Sequence, residues 1–314
     1  MTPLTDGDIF LYELGACGEY YEPVEEGEEK GELIIRSFEF VQKLIDGRIE
    51  EICDAVGATE DPIFFFTGKG NFRFEVAKTS PYKGNRKDVV KPYHHKNIKI
   101  YLESMYECHT STDCEADDEI VMAQMADMHV AEGLHATACW EVEEGGLEPP
   151  LDHFCTTVIC TRDKDLRMCP GLHYGWECGL QPEFQLQWVT ELGDLRPKFK
   201  TKLNKKGEEV EYLDKLDGTG IRWFYAQLLM GDMSTDNIPG CPGIGKVKAY
   251  EYLKNFDTEY DLYSACADIY KEVCRKKEID YKELLLEQAY LLWMVRGRDA
   301  NNQLIMWEPP LCQK

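Results

Sequence analysis

The sequence lacks the features that mark a membrane protein or an exported one. Its apolar runs, such as residues 63–66, are far shorter than the roughly 20 residues that a membrane-spanning helix needs. The N-terminus has neither a basic start nor an apolar stretch, so we expect no secretory signal and a cytoplasmic location. None of the 13 cysteines forms a CxxC pair, which disfavours a structural zinc site and favours reduced thiols.

Positive charge is also scarce, which by itself argues against binding to nucleic acid, because contacts with phosphate need Lys and Arg. The 314 residues carry 35 Lys and Arg against 58 Asp and Glu, so the net charge is −23. Two stretches depart from this balance: residues 69–99 hold nine bases against two acids, and residues 196–206 hold six bases and no acid. Because salt screens charge over about 8–10 Å, a local basic stretch can bind phosphate on an acidic protein. The alternative for each stretch is a solvated surface.

Apolar runs and helical spacings alternate along the first part of the chain. Residues 62–67 (PIFFFT) and 155–161 (CTTVICT) are typical of buried strands in a parallel sheet, while residues 33–56 and 115–130 have helical spacing. Helical patterns continue to the C-terminus after a polar, basic stretch at 196–218, which we interpret as a mobile linker or a hairpin. The sequence therefore predicts an α/β fold with a mainly parallel central sheet flanked by helices and a helical C-terminal part.

Acidic residues occur where the predicted strands end and the helices begin. They are Asp6, Asp8, Glu115, Asp117, Asp118, Asp163, Asp165, Asp232 and Asp236. Since ligands bind at the carboxyl ends of parallel strands, we expect these side chains to converge there. Carboxylates that share a few ångströms need cations, and sites made of oxygen ligands suit Mg²⁺ or Mn²⁺. Taken singly, each acid has another explanation, such as helix capping or a polar turn.

A glycine-rich turn precedes a predicted helix within residues 236–250 (DNIPGCPGIGKVKAY). Backbone N–H groups at such a helix N-terminus can face a phosphate, and a contact of this kind is independent of base sequence. The alternative is an ordinary corner between two helices, and the spacing is not that of a P-loop. The residues that we expect to contact phosphate here are Gly240, Gly243, Gly245, Lys246 and Lys248.

Residues 68–87 (GKGNFRFEVAKTSPYKGNRK) form a basic segment in which aromatic residues alternate with cations. Cations suit phosphates and aromatic rings suit bases, so this pattern indicates a nucleic-acid end as ligand. A lysine-rich surface loop is the alternative. The candidate residues are Lys69, Arg73, Tyr82, Lys83, Arg86 and Lys87.

These motifs, in this order, resemble the flap endonuclease / 5′-nuclease superfamily, and phage 5′→3′ exonucleases in particular. The matching segments are DGD (6–8), FRFEVAKTSPYKGNR (72–86), EADD (115–118), TRDKDL (161–166) and GDMSTDNIPGCPGIGKVKA (231–249). The resemblance implies a PIN-like catalytic domain over residues 1–230. It implies a helical DNA-binding region with a helix–turn–helix hairpin over residues 231–314, which completes the metal site.

The resemblance also implies a two-metal phosphodiesterase with two Mg²⁺ or Mn²⁺ ions, and K⁺ at the glycine hairpin. Lys83 and Arg86 would contact the scissile phosphate. The substrate would be duplex DNA with a 5′ end or flap, or an RNA–DNA hybrid, in the cytoplasm of a phage-infected cell. Carried over by position, the ligands of the first ion would be Asp6, Glu115, Asp117 and Asp163, and those of the second Asp118, Asp165, Asp232 and Asp236.

The sequence departs from this family pattern at three places. Thr67 stands where many relatives carry an Asp, and GDMSTDN has one residue more than the usual GDxxDN. Only about 30 residues separate Lys83 from Glu115, which favours an exonuclease over a nuclease that threads a flap.

Two other functions compete with a nuclease. A phosphomonoesterase of the haloacid-dehalogenase type would use Asp6 as nucleophile and Asp8 as acid. It would leave the glycine turn and the basic segment unexplained. A protein that binds DNA ends without catalysis is the third candidate.

Overall fold

The computed structural model describes residues 1–23, 31–86, 89–140 and 148–311. The chain forms two compact units, each made of several segments. Unit 1 consists of Met1–Gly70, Asp88–Arg162 and Gly171–Gln187, and unit 2 consists of Asn71–Lys87, Asp163–Pro170 and Trp188–Lys314.

The helices and strands are numbered along the chain. The strands are β1 (Thr2–Asp6), β2 (Glu19–Tyr21), β3 (Leu33–Ile35), β4 (Ile63–Phe66), β5 (Cys108–Thr110), β6 (Thr157–Cys160), β7 (Gly171–Gly175), β8 (Phe184–Val189), β9 (Leu195–Leu203) and β10 (Glu209–Gly218). The helices are α1 (Gly7–Cys17), α2 (Phe38–Val56), α3 (Arg73–Val76), α4 (His95–Met105), α5 (Ala116–Trp140), α6 (Gly220–Met230), α7 (Lys246–Leu253), α8 (Glu259–Arg275) and α9 (Tyr281–Leu292). None of the described helices is long and apolar enough to cross a bilayer.

A six-stranded sheet with the order β5-β4-β1-β6-β7-β8 organises unit 1. The pairs β1–β4, β1–β6, β4–β5 and β6–β7 are all parallel, with Leu4 opposite both Ile63 and Ile159. The predicted α/β class with a mainly parallel central sheet is therefore confirmed. Parallel pairing also places the ends of β1, β4 and β6 at one edge, where the first group of predicted acids lies.

The helix predicted at residues 33–56 begins later than expected. Leu33–Ile35 instead form β3, which pairs antiparallel with β2. Ser37 has extended backbone angles, and its hydroxyl accepts the N–H of Phe40 at 3.3 Å, so it caps α2 and stops the helix from extending backwards. Gly57 ends α2 in the left-handed conformation, at φ 61°.

Unit 2 is built around α6, most of which is buried. Phe224 packs edge-on against Trp293, with ring centroids 5.0 Å apart, and the hydroxyl of Tyr270 donates to the carbonyl of Leu228 at 2.6 Å. The stretch predicted as a linker or hairpin is a hairpin, because β9 and β10 pair antiparallel. Helix α6 packs against α7, α8 and α9 within this unit. The functional boundary predicted after residue 230 stays a prediction.

Candidate active site

The acid at the end of β1 anchors the start of the next helix. One carboxylate oxygen of Asp6 accepts the backbone N–H of Ile9 at 3.2 Å and thereby caps α1. Its other oxygen accepts the hydroxyl of Thr161 at 3.3 Å, directly after β6. Asp6 is thus buried at the carboxyl edge of the sheet, between two parallel strands.

A chain of hydrogen bonds joins the acids at the starts of α1 and α5. The backbone N–H of Thr67, just after β4, donates to Asp8 at 3.0 Å, and the Thr67 hydroxyl accepts the N–H of Ala116 at 3.0 Å. The next bond runs from the N–H of Glu115 to the carboxylate of Asp118, also at 3.0 Å. Thr67, which replaces the usual acid of the family, therefore links the two acidic segments.

Unit 1 thus gathers one group of predicted ligands at its sheet edge. Glu115 and Asp118 are buried, and Asp117 between them is half-buried. We call Asp6, Asp8, Glu115, Asp117 and Asp118 the unit-1 cluster.

A further group with metal-binding geometry lies beside it and was missed by the sequence analysis. Ligand atoms of Asp113, Cys114 and Glu119 all lie within 4.8 Å of one another. Burial, followed by the charges of Asp118, Glu119 and Asp113, raises the pKa of the Cys114 thiol. Since the thiolate is the metal-binding form, a raised pKa makes this thiol a weak ligand near neutral pH.

Unit 2 brings together the remaining acids. The backbone N–H of Asp165 donates to Asp163 at 2.8 Å, and the buried amide of Gln227 on α6 donates to Asp165 at 2.6 Å. The pKa of Asp165 lies well above its usual range, because the side chain is buried and because the negative charges of Asp163, Asp232 and Asp236 act on it, with Lys164 opposing. These four carboxylates, the unit-2 cluster, therefore share one site.

A lysine balances part of this charge. The ammonium of Lys164 lies 3.0 Å from the carboxylate of Asp232. Burial works against the charged form of Lys164, but the fields of Asp165 and Asp232 outweigh it and raise its pKa. Burial likewise opposes ionisation of Asp232, yet Lys164 and hydrogen bonds from Thr235 and Ser234 lower the pKa of this carboxyl. The pair is charged near neutral pH.

Three side chains of the basic segment contact Asp236. The guanidinium of Arg86 lies 2.9 Å and the ammonium of Lys83 3.9 Å from one carboxylate oxygen, and the hydroxyl of Tyr82 donates to the other at 3.1 Å. The backbone N–H of Lys83 donates to the carbonyl of Asp236 at 2.9 Å and Lys83 has φ 50°, a conformation that non-glycine residues rarely adopt. Such local strain is common at functional sites.

The other end of the basic segment is fixed to α9. The guanidinium of Arg73 is fully buried and donates to the carbonyls of Leu291 and Trp293 at 3.0 and 2.7 Å. The prediction that Arg73 contacts DNA is therefore corrected, because this side chain closes the end of a helix. Tyr82 is also buried and holds Asp236, so it is a positioning residue and its predicted DNA contact is corrected as well. Lys69 is exposed, whereas Lys87 lies outside the described residues.

The glycine turn contains two kinds of glycine. Gly240 is buried against Gly231, where a side chain would meet the backbone, and its N–H donates to the buried side chain of Gln288 at 2.9 Å. This N–H is engaged inside unit 2, so the predicted phosphate contact of Gly240 is corrected. Gly243 and Gly245 are exposed and have open space around them. Lys246 and Lys248 at the start of α7 are exposed too, which leaves their predicted role in place as a prediction.

No family model matches the chain. Over 72 residues, 21% of this chain, it is 31% identical to a 5′-3′ exonuclease of Halalkalibacterium halodurans. Over the aligned segment, the name of this relative agrees with the resemblance that the motifs indicate. The chain spans 23% of the length of that curated exonuclease.

Two solved structures of bacteriophage T5 proteins are also similar to the chain. The T5 D15 protein co-crystallised with metal ions has a TM-score of 0.46 and 14% identity, with 93% of this chain and 88% of that chain covered. The T5 5′-exonuclease with divalent metal ions (zinc) bound has a TM-score of 0.47 and 13% identity, with 94% and 90% covered.

The sequence analysis missed several residues that support the acids. Gln227 lies inside a regular helical pattern, and only its burial beside Asp165 distinguishes it. Lys164 stands between two acids in RDKD, and that alternation of charge was the available clue. Thr161 directly follows an apolar strand, as Thr67 does, so a hydroxyl at a strand end was a usable signal for both.

Proposed function

We propose that this protein is a divalent-metal-dependent 5′ nuclease that hydrolyses DNA phosphodiesters, as a 5′→3′ exonuclease or a 5′-flap endonuclease. The observation that carries the proposal is the unit-2 cluster, in which Asp165 is buried among three other carboxylates. Burying a carboxylate near like charges is unfavourable, and such groups concentrate at functional sites. A 72-residue likeness to a 5′-3′ exonuclease supports the same conclusion.

The residues of the cluster fit Mg²⁺ or Mn²⁺. The four donors Asp163, Asp165, Asp232 and Asp236 offer carboxylate oxygens, the ligands that these hard cations prefer. Such ions, when bound, activate a water molecule and stabilise the leaving oxygen in phosphodiester hydrolysis. The raised pKa of Asp165 supports this assignment, because a nearby cation would favour its charged form.

The unit-1 cluster supports a second ion. Asp6, Glu115, Asp117 and Asp118 supply further carboxylates at the edge of the sheet where α/β proteins bind their ligands. Hydrolysis by two metal ions needs carboxylate ligands for both, and the assignment of particular carboxylates to each ion stays a prediction.

Lys83 and Arg86 are the proposed catalytic residues. Both side chains are held by Asp236, and Lys83 is fixed in its unusual backbone conformation by the same residue. Cations fixed in advance can donate to the negative charge that develops on a phosphate, without reorganising during the reaction. Gly243, Gly245 and Lys248 would contact the duplex backbone, while K⁺ in the glycine turn and an RNA–DNA hybrid as substrate stay predictions.

The phosphatase hypothesis is less consistent with the surroundings of Asp6. A nucleophilic carboxylate must reach its substrate, but Asp6 is 4% exposed and both its oxygens accept hydrogen bonds. That hypothesis also assigns no role to the acids and cations gathered in unit 2.

The direct test is digestion of duplex DNA labelled at its 5′ or its 3′ end, with a 5′-flap substrate alongside. We expect Mg²⁺-dependent products from the 5′ side, and no products after chelation of the metal or in Asp165→Asn. Release of phosphate from a small monoester without DNA cleavage would favour the phosphatase. DNA binding in Mg²⁺ without any cleavage product would favour the non-catalytic end-binding protein.

A further inference from the structure

The hairpin of β9 and β10 has one cationic face. Side chains alternate between the two faces of a strand, so Arg196, Lys198, Lys200 and Lys202 lie on the same face of β9. We call these four residues the basic face. All three lysines are exposed, although the protein as a whole has a net charge of −23.

The opposite face of β9 is apolar and turned toward the rest of unit 2. It consists of Leu195, Pro197, Phe199 and Leu203 with Thr201 between them. Phe199 packs against Tyr250 of α7, with ring centroids 6.4 Å apart, and its cross-strand neighbour Leu213 is buried. Helix α7 covers only part of this face, where Phe199 and Leu203 remain 46% and 68% exposed, and the basic face is open to solvent as well.

The cross-strand partners add charge at one position of the basic face and oppose it at another. Lys198 lies directly opposite Lys215, and both are exposed. Like charges in this arrangement destabilise a hairpin by a fraction of a kcal/mol, so an anionic ligand would relieve the repulsion. Lys202 lies opposite Val210, and its ammonium stands 4.6 Å from the ring centre of Tyr212. Lys200 has an acid close by, with Asp214 at 2.9 Å, and Arg196 lies opposite Asp217.

The dimensions of the basic face suit a duplex. From Arg196 to Lys202 the strand rises by about 20 Å, because each residue adds about 3.4 Å. A DNA strand presents one phosphate per about 3.4 Å of helix axis, so this length spans about six phosphates. The hairpin of β9 and β10 also adjoins the glycine turn, because the ammonium of Lys246 at the start of α7 donates to the carbonyl of Asp214 in β10.

We propose that the basic face binds the sugar–phosphate backbone of duplex DNA and extends the duplex contact beyond the glycine turn. This inference rests on the proposed nuclease function and adds a binding surface that lies outside its motifs. A surface of this kind raises affinity without reading base sequence, because phosphates carry no sequence information.

The test compares DNA binding by the wild type and by a variant in which Lys198, Lys200 and Lys202 are replaced with Gln. Affinity for a duplex of about 20 base pairs is measured in Ca²⁺ between about 50 and 200 mM salt. Each lost phosphate contact lowers the salt slope by about 0.9, so we expect a reduction of about 2 to 3 and an affinity loss of about 10²-fold at 0.1 M salt.

Two controls accompany this variant. Replacing Lys271, Lys276 and Lys282 with Gln removes the same charge from exposed positions elsewhere in unit 2 and should leave the salt slope unchanged. Replacing Lys198, Lys200 and Lys202 of the basic face with Arg keeps the charge and should keep the salt slope. Thermal unfolding of each variant verifies that the hairpin remains folded.

The outcomes separate this inference from the proposed function. If the wild type binds and cleaves DNA but the Gln variant of the basic face keeps its affinity and salt slope, the inference is wrong and the proposed nuclease function is unaffected. Aggregation of the Gln variant of the basic face, with unchanged affinity, would also contradict the inference and would indicate that these lysines protect an exposed strand edge. If the wild type binds no duplex at low salt, both the inference and the proposed function fail.

Discussion

The acidic clusters of units 1 and 2 use the same side chains but hold them with different partners. In unit 1, neutral groups donate to the acids: a backbone N–H and a hydroxyl to Asp6, and backbone N–H groups to Asp8 and Asp118. In unit 2, neutral groups also donate to acids such as Asp165, but cations approach two of them as well, with Lys164 beside Asp232 and Arg86 beside Asp236. The unit-1 acids are therefore part of how strands and helices join, whereas the unit-2 acids belong to a network of opposing charges.

This difference has a consequence for substitution by an amide. Asn at position 6 can still accept the N–H of Ile9 through its amide oxygen, and its NH2 group can donate to the Thr161 hydroxyl, so both contacts persist with the direction of the second reversed. In unit 2 the same change removes a charge that both repels other carboxylates and attracts lysine or arginine. Stability and activity should therefore respond in opposite directions at Asp165, where burial and repulsion raise the pKa.

The largest expected effect belongs to Asp165→Asn. Losing this carboxylate should lower Mg²⁺-dependent cleavage by about 10³-fold or more, because a metal ligand and its charge are gone. Without divalent ions the same variant should be more stable than the wild type by about 1 kcal/mol or more, since a buried charge among like charges is removed. Single-turnover cleavage and thermal unfolding in EDTA measure the two effects.

Asp257→Asn is the matched control for this prediction. Asp257 is exposed, belongs to the same unit but not to the unit-2 cluster, and pairs with Arg222 at 2.8 Å. Its replacement should change cleavage by less than about twofold and stability by less than about 0.5 kcal/mol. An Asp165→Asn protein that cleaves DNA normally would contradict the metal assignment, and one that loses stability in EDTA would contradict the charge argument.

The second effect concerns the cations of unit 2. Lys83→Met should lower the cleavage rate by about 10²–10³-fold, the usual loss when a donor to a developing negative charge is removed. Binding of duplex DNA in Ca²⁺ should change by only a few-fold, because one ammonium among many phosphate contacts is lost. Lys78→Met, an exposed lysine of the same segment, should leave the rate nearly unchanged. Equal rates in the two variants would remove Lys83 from the mechanism.

The sequence predicted the framework better than the contacts. Apolar runs located β4 and β6, because strand burial is visible in local patterns. Asp6 ends β1, and Asp117 and Asp118 lie in the first turn of α5, as their positions in the sequence predicted. The roles of Arg73 and Tyr82 were wrong, since a cation or a phenol in a basic segment looks the same whether it faces solvent or turns inward. Their burial depends on α9 and Asp236, more than 150 residues away.

Gly240 illustrates the same limit at the level of the backbone. Glycine was expected there to expose N–H groups, but its small size serves a close approach to Gly231, and Gln288 takes its N–H. A glycine-rich motif therefore predicts a tight turn reliably, while the partner of each N–H depends on tertiary packing. Gly243, at φ 80° with open surroundings, is the glycine that matches the original expectation.

The smallest expected effect tests the neutral network of unit 1. Thr67→Val removes the hydroxyl that accepts the N–H of Ala116, which should cost about 1 kcal/mol and lower the melting temperature by about 2–4 °C. Thr67→Ser keeps the hydroxyl and should stay within about 1 °C of the wild type. Because the hydroxyl positions the start of α5, the Val variant should also need more Mg²⁺ for half-maximal cleavage, by up to about tenfold. A Val variant that matches the wild type in both measurements would show that the acids of unit 1 are held without the Thr67 hydroxyl, and the description of a hydrogen-bonded cluster would then rest on the bonds to Asp6, Asp8 and Asp118.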